Sequence, residues 1–356
     1  MENDTRNSNI ATQKAKPKLI HETDLFHPHG DPDDHFDLAT VFALAYSGEL
    51  DIENIIIDYP PPHRAGDPAL LAVSQLRYIT GIDVPVNIGT PVRMEHRKDT
   101  QPNIESRHHS AVNKIISILK DAEQPVYISI VGASHDIAIA ANIEPQLFKE
   151  KCAGVFLNSG SGVQYSNEES ALEYNVKLNA GAYAAIFDLP CPVYWLPCFH
   201  IVYPNYDERA GEFGTVYRFA QKEIFDSLSS YIKNYFIYML EQSADPKWLR
   251  YLENEPKAEL VEKYGEMYRR MWSTASFYQI AGKTVNENGE IVPIEGMLEA
   301  PIYTFEPIKI SCSNAGITSW EFDAKATDRF IFRVKNLEKY NTAMTKALAS
   351  ILSKLP

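Results

Sequence analysis

Between residues 18 and 197, short runs of β-branched and aromatic residues alternate with longer helical stretches, and this alternation constrains the fold more than any other feature. "KLIHETDLF", "ENIIID", "VPVNIG", "PVYISIV", "AGVFLN" and "PVYWLP" read as strands. "DDHFDLATVFALAYSG", "DPALLAVSQLRYITG", "SAVNKIISILKDA", "DIAIAANIEPQLFKEK" and "NAGAYAAIFD" read as the helices between them. In the first helix Phe36, Val41, Leu44 and Ala45 fall near helical spacing, and Gly48 ends it. In the second, Asp67 is expected as N-cap, Pro68 as the first helical residue and Gly81 as the terminator. Such alternation implies an α/β fold: an open, mainly parallel sheet flanked by helices on both faces.

Beyond Pro197 the pattern changes. Residues 209–243 and 257–281 read as long, aromatic-rich helical stretches, "NENGE" as a turn, and "PIYTFEPIKIS" and "RFIFRVK" as short strands. "NLEKYNTAMTKALASILSKL" reads as a closing helix. No Pro/Gly/Ser linker divides the chain, so residues 18–356 are expected to form a single α/β domain with extra C-terminal helices and strands. Residues 1–17 are polar, lack an apolar signal core and read as a disordered tail.

The charge balance narrows the partners. With 34 Lys and Arg against 47 Asp and Glu, the net charge of −13 repels phosphate backbones, so no nucleic-acid partner is expected. No stretch reaches the roughly 18 apolar residues that span a membrane. The 4 cysteines form no C-x-x-C pair, which suits free thiols in a cytoplasmic setting; secretion stays open if a signal was removed before this numbering.

In open α/β sheets, ligands bind at the carboxyl ends of the strands. Asp24, Asp58, Gly132 and Asn158 are expected at such ends. The segment "DLFHPHGDPDDHFD" packs five carboxylates and three imidazoles into fourteen residues. One or two acids would cap the following helix; five repel one another unless a cation offsets them, which favours an oxygen-ligated divalent ion. An EF-hand fails, because Phe36 and Phe42 stand where its Gly and Glu are required. A rival reading builds a zinc-type hydrolase on His27 and His29, but Pro32 replaces the last histidine of that motif and the remaining histidines supply no partners.

Several segments in order resemble the nucleoside hydrolase family, the calcium-dependent N-ribohydrolases. "ETDLFHPHGDPDDHFDLATVFAL" is similar to the family's D-x-D-P-G-x-D-D-A opening, with its loop stretched by about five residues. "ISIVGASHDIAIAANIEP" is similar to its T-G-G-L-T-N-I-A segment, "AGVFLNSGSG" to V-V-x-M-G-G, and "LEYNVKLNAGAYAAIF" to A-E-F-N-x-x-x-D-P-E-A-A. The likeness runs from about residue 18 to 351 and implies hydrolysis of a ribonucleoside or related riboside by a calcium-activated water.

The resemblance also implies roles. Asp24 is the first metal-binding acid and the general base; Asp34 binds calcium and Asp33 the ribose hydroxyls. Asp31 is an alternative first ligand, because the loop is stretched, and Asp37 lies one helical turn beyond Asp34. Val131 falls where a backbone carbonyl ligates calcium. Glu173 and Asn175 match sugar-binding groups, and Asn158 adds a polar contact. Family-like dimers or tetramers are implied as well. Two positions depart from the pattern: Ser273 and Thr274 stand where the family has His-Asp, and His63 lies in a proline-rich loop where an asparagine is expected. Trp272 and Tyr278 are the aromatic candidates for a base platform. The runner-up function is a nucleoside- or sugar-binding protein that has lost turnover.

Overall fold

The computed structural model describes residues 15–28, 32–165, 172–201 and 211–356. Most of the polar tail at the N-terminus, together with His29 and Asp31, lies outside them.

Nine strands form the central sheet: β1 (Lys18–Thr23), β2 (Asp51–Ile57), β3 (Val86–Ile88), β4 (Val126–Ile130), β5 (Cys152–Asn158), β6 (Val193–Leu196), β7 (Tyr303–Cys312), β8 (Thr318–Phe322) and β9 (Arg329–Val334). Their order is β8-β7-β9-β6-β5-β4-β1-β2-β3. From β3 to β9 every neighbouring pair is parallel; β7 and β8 add an antiparallel edge. Parallel neighbours need long crossovers, and the helices supply them.

Alternation along the strands sends side chains to two apolar layers. Ile55 and Ile57 join the layer that also holds Phe36, Leu76, Phe236 and Leu348, whereas Ile56 joins Ile115, Ile137 and Trp195. Helices α1 (Asp33–Tyr46) and α2 (Leu70–Thr80) therefore cover one face. Helices α3 (Ser110–Asp121) and α4 (His135–Ile143) cover the other. Helix α1 is buried nearly all round, and its Phe36 ring stacks on Phe236 with centroids 4.1 Å apart. Burying such a ring is worth about 1.5–3 kcal/mol.

The chain runs from β1 outward to β2 and β3, then returns to the far side of β1 at β4. The sheet order reverses there, so the ends of β1 and β4 open a crevice. Register brings the chemistry together: Thr23 pairs with Ile57 and Glu22 with Ile130, so Asp24, Asp58 and Val131 leave their strands side by side.

Three local expectations are corrected. The first strand ends at Thr23, and Phe26–His27 forms a separate bridge with Asp67–Pro68. Asp67 therefore caps nothing: α2 starts at Leu70, and Ala69 N donates to Leu25 O at 3.0 Å. Tertiary pairing of the stretched loop outweighs the local capping preference. The stretches 209–243 and 257–281 are not continuous helices. Tyr217–Ala220 and Tyr268–Met271 pair as antiparallel strands between shorter helices, because aromatic residues serve strands as readily as buried helices. Among the described residues no helix is long and apolar enough to cross a membrane.

Candidate active site

At the β1/β4 switch point a cavity of about 340 Å³ opens. Asp24, Asp33, Asp34, Val131, Asn158, Glu173, Asn175 and Trp272 all line it, although they come from five separate stretches of sequence. Asp31 falls outside the described residues. Asp37, Arg64, Tyr174, Lys177 and Ser273 also face this space.

Strand β1 delivers Asp24, and the start of α1 delivers Asp33 and Asp34 to the same side. Negative charge is favourable at a helix N-terminus, yet Asp34 is only 3% exposed and is not held by that field alone. Thr23 Oγ1 donates to Asp34 Oδ1 at 2.8 Å, and the Asp34 and Asp24 carboxyls are hydrogen-bonded to each other. Two carboxyl groups in contact share a proton or a cation. Burial raises both above the ordinary carboxylate range, Asp34 the further because the neighbouring acids add repulsion.

The opposing charge is Arg64, reaching in from the loop after β2. Its Nη2 donates to Asp24 Oδ2 at 3.2 Å and its Nε to Tyr174 Oη at 3.0 Å. The guanidinium lies 4.8 Å from the centroid of the Tyr174 ring, a cation–π arrangement. His63, the expected counterpart of an asparagine, hydrogen-bonds the same phenol at 3.0 Å and sits outside the cavity lining. The sequence reading missed Arg64 and Tyr174; a single basic residue between prolines and a tyrosine between Glu173 and Asn175 were their only signals.

On the opposite wall, Asn175 Nδ2 donates to Val131 O at 2.9 Å. Asn158 spends its amide hydrogens on Leu196 O at 2.9 Å and Thr215 Oγ1 at 3.2 Å. Glu173 is already well occupied: one oxygen accepts from Asn175 N at 2.9 Å, the other from Gly160 N at 2.9 Å and Ser159 Oγ at 3.1 Å. It is the N-cap of the short helix Tyr174–Leu178, so a sugar hydroxyl must share an acceptor that already holds this wall in place.

Ser273, expected from the resemblance to stand in for a histidine, donates to Asp37 Oδ2, and Thr274 bonds the buried Tyr217 hydroxyl at 2.7 Å. Trp272 Nε1 is buried without a hydrogen-bond partner, whereas Tyr278 is fully enclosed in the core and does not line the cavity. His27 Nε2 bonds Ser243 O at 2.9 Å, which occupies it structurally, and the other half of the zinc alternative, His29, is among the residues not described. Among the described residues no group of three or more His, Cys, Asp or Glu side chains is arranged to hold a metal ion.

No protein-family model and no curated protein sequence matches this chain. Solved structures do. An inosine-uridine preferring nucleoside hydrolase from Bacillus anthracis matches with a TM-score of 0.50 and 10% identity over 96% of this chain and 100% of that one. A purine-preferring ribonucleoside hydrolase from Gardnerella vaginalis matches with a TM-score of 0.50 and 12% identity over 94% and 99%. A plant nucleoside hydrolase gives 0.51 and 15% over 94% and 100%. The chain thus has a nucleoside hydrolase-like α/β fold along nearly its whole length. At these identities the likeness is one of fold, in a divergent form.

Proposed function

We propose that this protein hydrolyses the N-glycosidic bond of a ribonucleoside or a related riboside. The observation that carries the reading is convergence: Asp24, Asp34, Val131 O and Asn175 meet in one cavity at the sheet's switch point, beside neighbours that share the fold of nucleoside hydrolases.

The donor set suits a hard divalent cation. Two buried carboxyls in mutual contact and a main-chain carbonyl offer only oxygen, and their proximity is costly without a positive charge between them. Calcium would be held by Asp24, Asp34 and Val131 O, with Asp31 as a further candidate from the preceding loop. When bound, it supplies the charge that acidifies a water and anchors a sugar diol.

Asp24 takes the proton of the attacking water, and Arg64 fixes that carboxylate in orientation. Asp33 and Asn175 hold the sugar hydroxyls. The acids around the anomeric carbon stabilise the positive charge that develops on the sugar ring. Trp272, which lines the cavity, presents its indole to the base.

The test is release of reducing sugar from inosine, uridine and 4-nitrophenyl riboside, before and after chelation and with calcium restored. Turnover that disappears on chelation and returns with calcium is the expected result. If no riboside is cleaved while a nucleoside still binds, the second reading prevails: a sugar- or nucleoside-binding protein without turnover. Ser273 and Thr274 in place of His-Asp favour that reading.

A further inference from the structure

We propose that the riboside taken by this cavity carries a 5′-phosphate, gripped at the mouth by Lys177. The inference rests on the hydrolase reading above and narrows its substrate class. Among the described residues, Arg64 and Lys177 are the two cations that line the cavity, alongside five carboxyls.

The two cations are engaged in opposite ways. Arg64 is spent on Asp24 Oδ2 and Tyr174 Oη, and its guanidinium lies over the Tyr174 ring. Lys177 is exposed, and its ammonium makes no hydrogen bond or ion pair among the described residues. An unneutralised ammonium is unexpected in an acidic cavity of a chain whose net charge is −13. The cause is local. Glu173 precedes Lys177 by four residues, the spacing at which these two types ordinarily pair on a helix. Here Glu173 caps the helix Tyr174–Leu178 and turns inward, its oxygens taken by Asn175 N, Gly160 N and Ser159 Oγ. The natural partner is withdrawn, and the charge at the rim is left open to a ligand.

Placement decides which ligand group that is. The cavity-lining residues of this segment run from floor to mouth: Glu173 is buried, Tyr174 and Asn175 are half-buried and Lys177 is exposed. A ribose between Asp24 and Asn175 has its diol toward the acids and its C1′–N bond toward the attacking water. C5′ is then the one carbon free to carry a substituent outward, along the wall that ends in Lys177.

A phosphate monoester has about −1.5 to −2 charges at neutral pH and three acceptor oxygens. An ammonium, a compact charge with three donors, matches it. A neutral 5′-hydroxyl would leave most of that charge unanswered. The chain as a whole still repels a polyanion, whereas a single phosphate needs only one local cation. The phosphate takes no part in bond breaking: water adds to C1′, and the free base and ribose 5-phosphate depart.

Inosine and inosine 5′-monophosphate differ only in the group at issue. In the wild type, kcat/KM should be at least about tenfold higher for the monophosphate, the scale of a charge-assisted hydrogen bond. The advantage should sit in KM, because the contact is made equally before and during bond breaking, and it should shrink as salt is raised. Lys177→Gln should cut the monophosphate-to-inosine ratio by roughly tenfold or more, and Lys177→Arg should keep most of it. Arg93→Gln removes the exposed cation of a neighbouring cavity of about 110 Å³ and should leave the ratio where it is. Equal kcat/KM for the two substrates in the wild type would overturn the proposal, making Lys177 a solvated rim residue only. A preference that survives Lys177→Gln, or one that Arg93→Gln removes, would overturn it too. If neither compound is cleaved, calorimetric titrations of both decide. Tighter binding of the monophosphate by the wild type but not by Lys177→Gln would support the phosphate site and remove only the hydrolase reading. Equal binding, or none, would overturn the proposal.

Discussion

Two acid clusters sit back to back at the carboxyl ends of β1, β2 and β4, and they are satisfied in different ways. The rear cluster, Glu22, Asp58 and Asp136, leans on backbone amides: Ala133 N donates to Asp58 at 2.6 Å, Thr90 N to Asp136 at 3.1 Å, and Glu22 bonds Asp58. The front cluster, Asp24, Asp34 and Asp37, leans on side chains: Arg64, Thr23 and Ser273. Amides are fixed by the chain path, whereas side chains can rotate away. The rear cluster thus belongs to the scaffold, and the front one can exchange its partners for a ligand. Gly132 shows how tight the boundary is, because a Cβ there would meet Asp58 Oδ2 at 2.5 Å and Asp24 N at 2.8 Å.

Three experiments probe that division. The largest effect is expected at the front: Asp34→Ala should reduce calcium affinity by more than the roughly 100-fold that losing a mere outer-shell partner can cost. Equal affinities in calorimetric titrations of mutant and wild type would end the distinction between the clusters.

A rear change should show in stability instead. Burial raises Asp58 from 3.8 to about 7, so the folded state holds a proton that the unfolded chain releases. Its contribution is complete below 3.8 and disappears as pH rises through about 7. Asp58→Asn should flatten the fall in urea-unfolding free energy over that window while leaving calcium affinity within a fewfold; an unchanged slope would refute the assignment.

The smallest effect belongs to Arg64→Ala. A partly solvated ion pair is worth at most about 1 kcal/mol, so stability should fall by that amount or less. Calcium affinity should hold or rise as Asp24 is released from a competing cation, and a marked drop would mean that Arg64 and the ion do not compete for Asp24.

The sheet was legible because its signal is redundant: β2, β4 and β5 each carry a short, mostly apolar run, and shortness with β-branched and aromatic content places them. The cap at Asp67 was misread because the deciding interaction, pairing with His27, lies 40 residues away in sequence. Aromatic residues near Tyr217 and Tyr268 fit either a strand or a buried helix, and only their mutual pairing decides. In the site, the acids of the first loop announce themselves by density. Arg64 does not, since nothing about one arginine in "PPPHRAG" says that it reaches Asp24. Asp37 was visible only as a helical neighbour of Asp34; its burial and its bond to Ser273, more than two hundred residues distant, are products of the fold.

The hydrogen bond from Asn175 to Val131 O fastens the short helix Tyr174–Leu178, from beyond β5, onto the tip of β4. Anything lodged between that tie and Asp24 clamps the two wings of the sheet and opposes global unfolding. Heat resistance then becomes a gauge of occupancy: a ligand at a hundredfold excess over its Kd adds about 2.7 kcal/mol. A melting-curve screen of ribosides would therefore find compounds the protein embraces, even ones it never cuts.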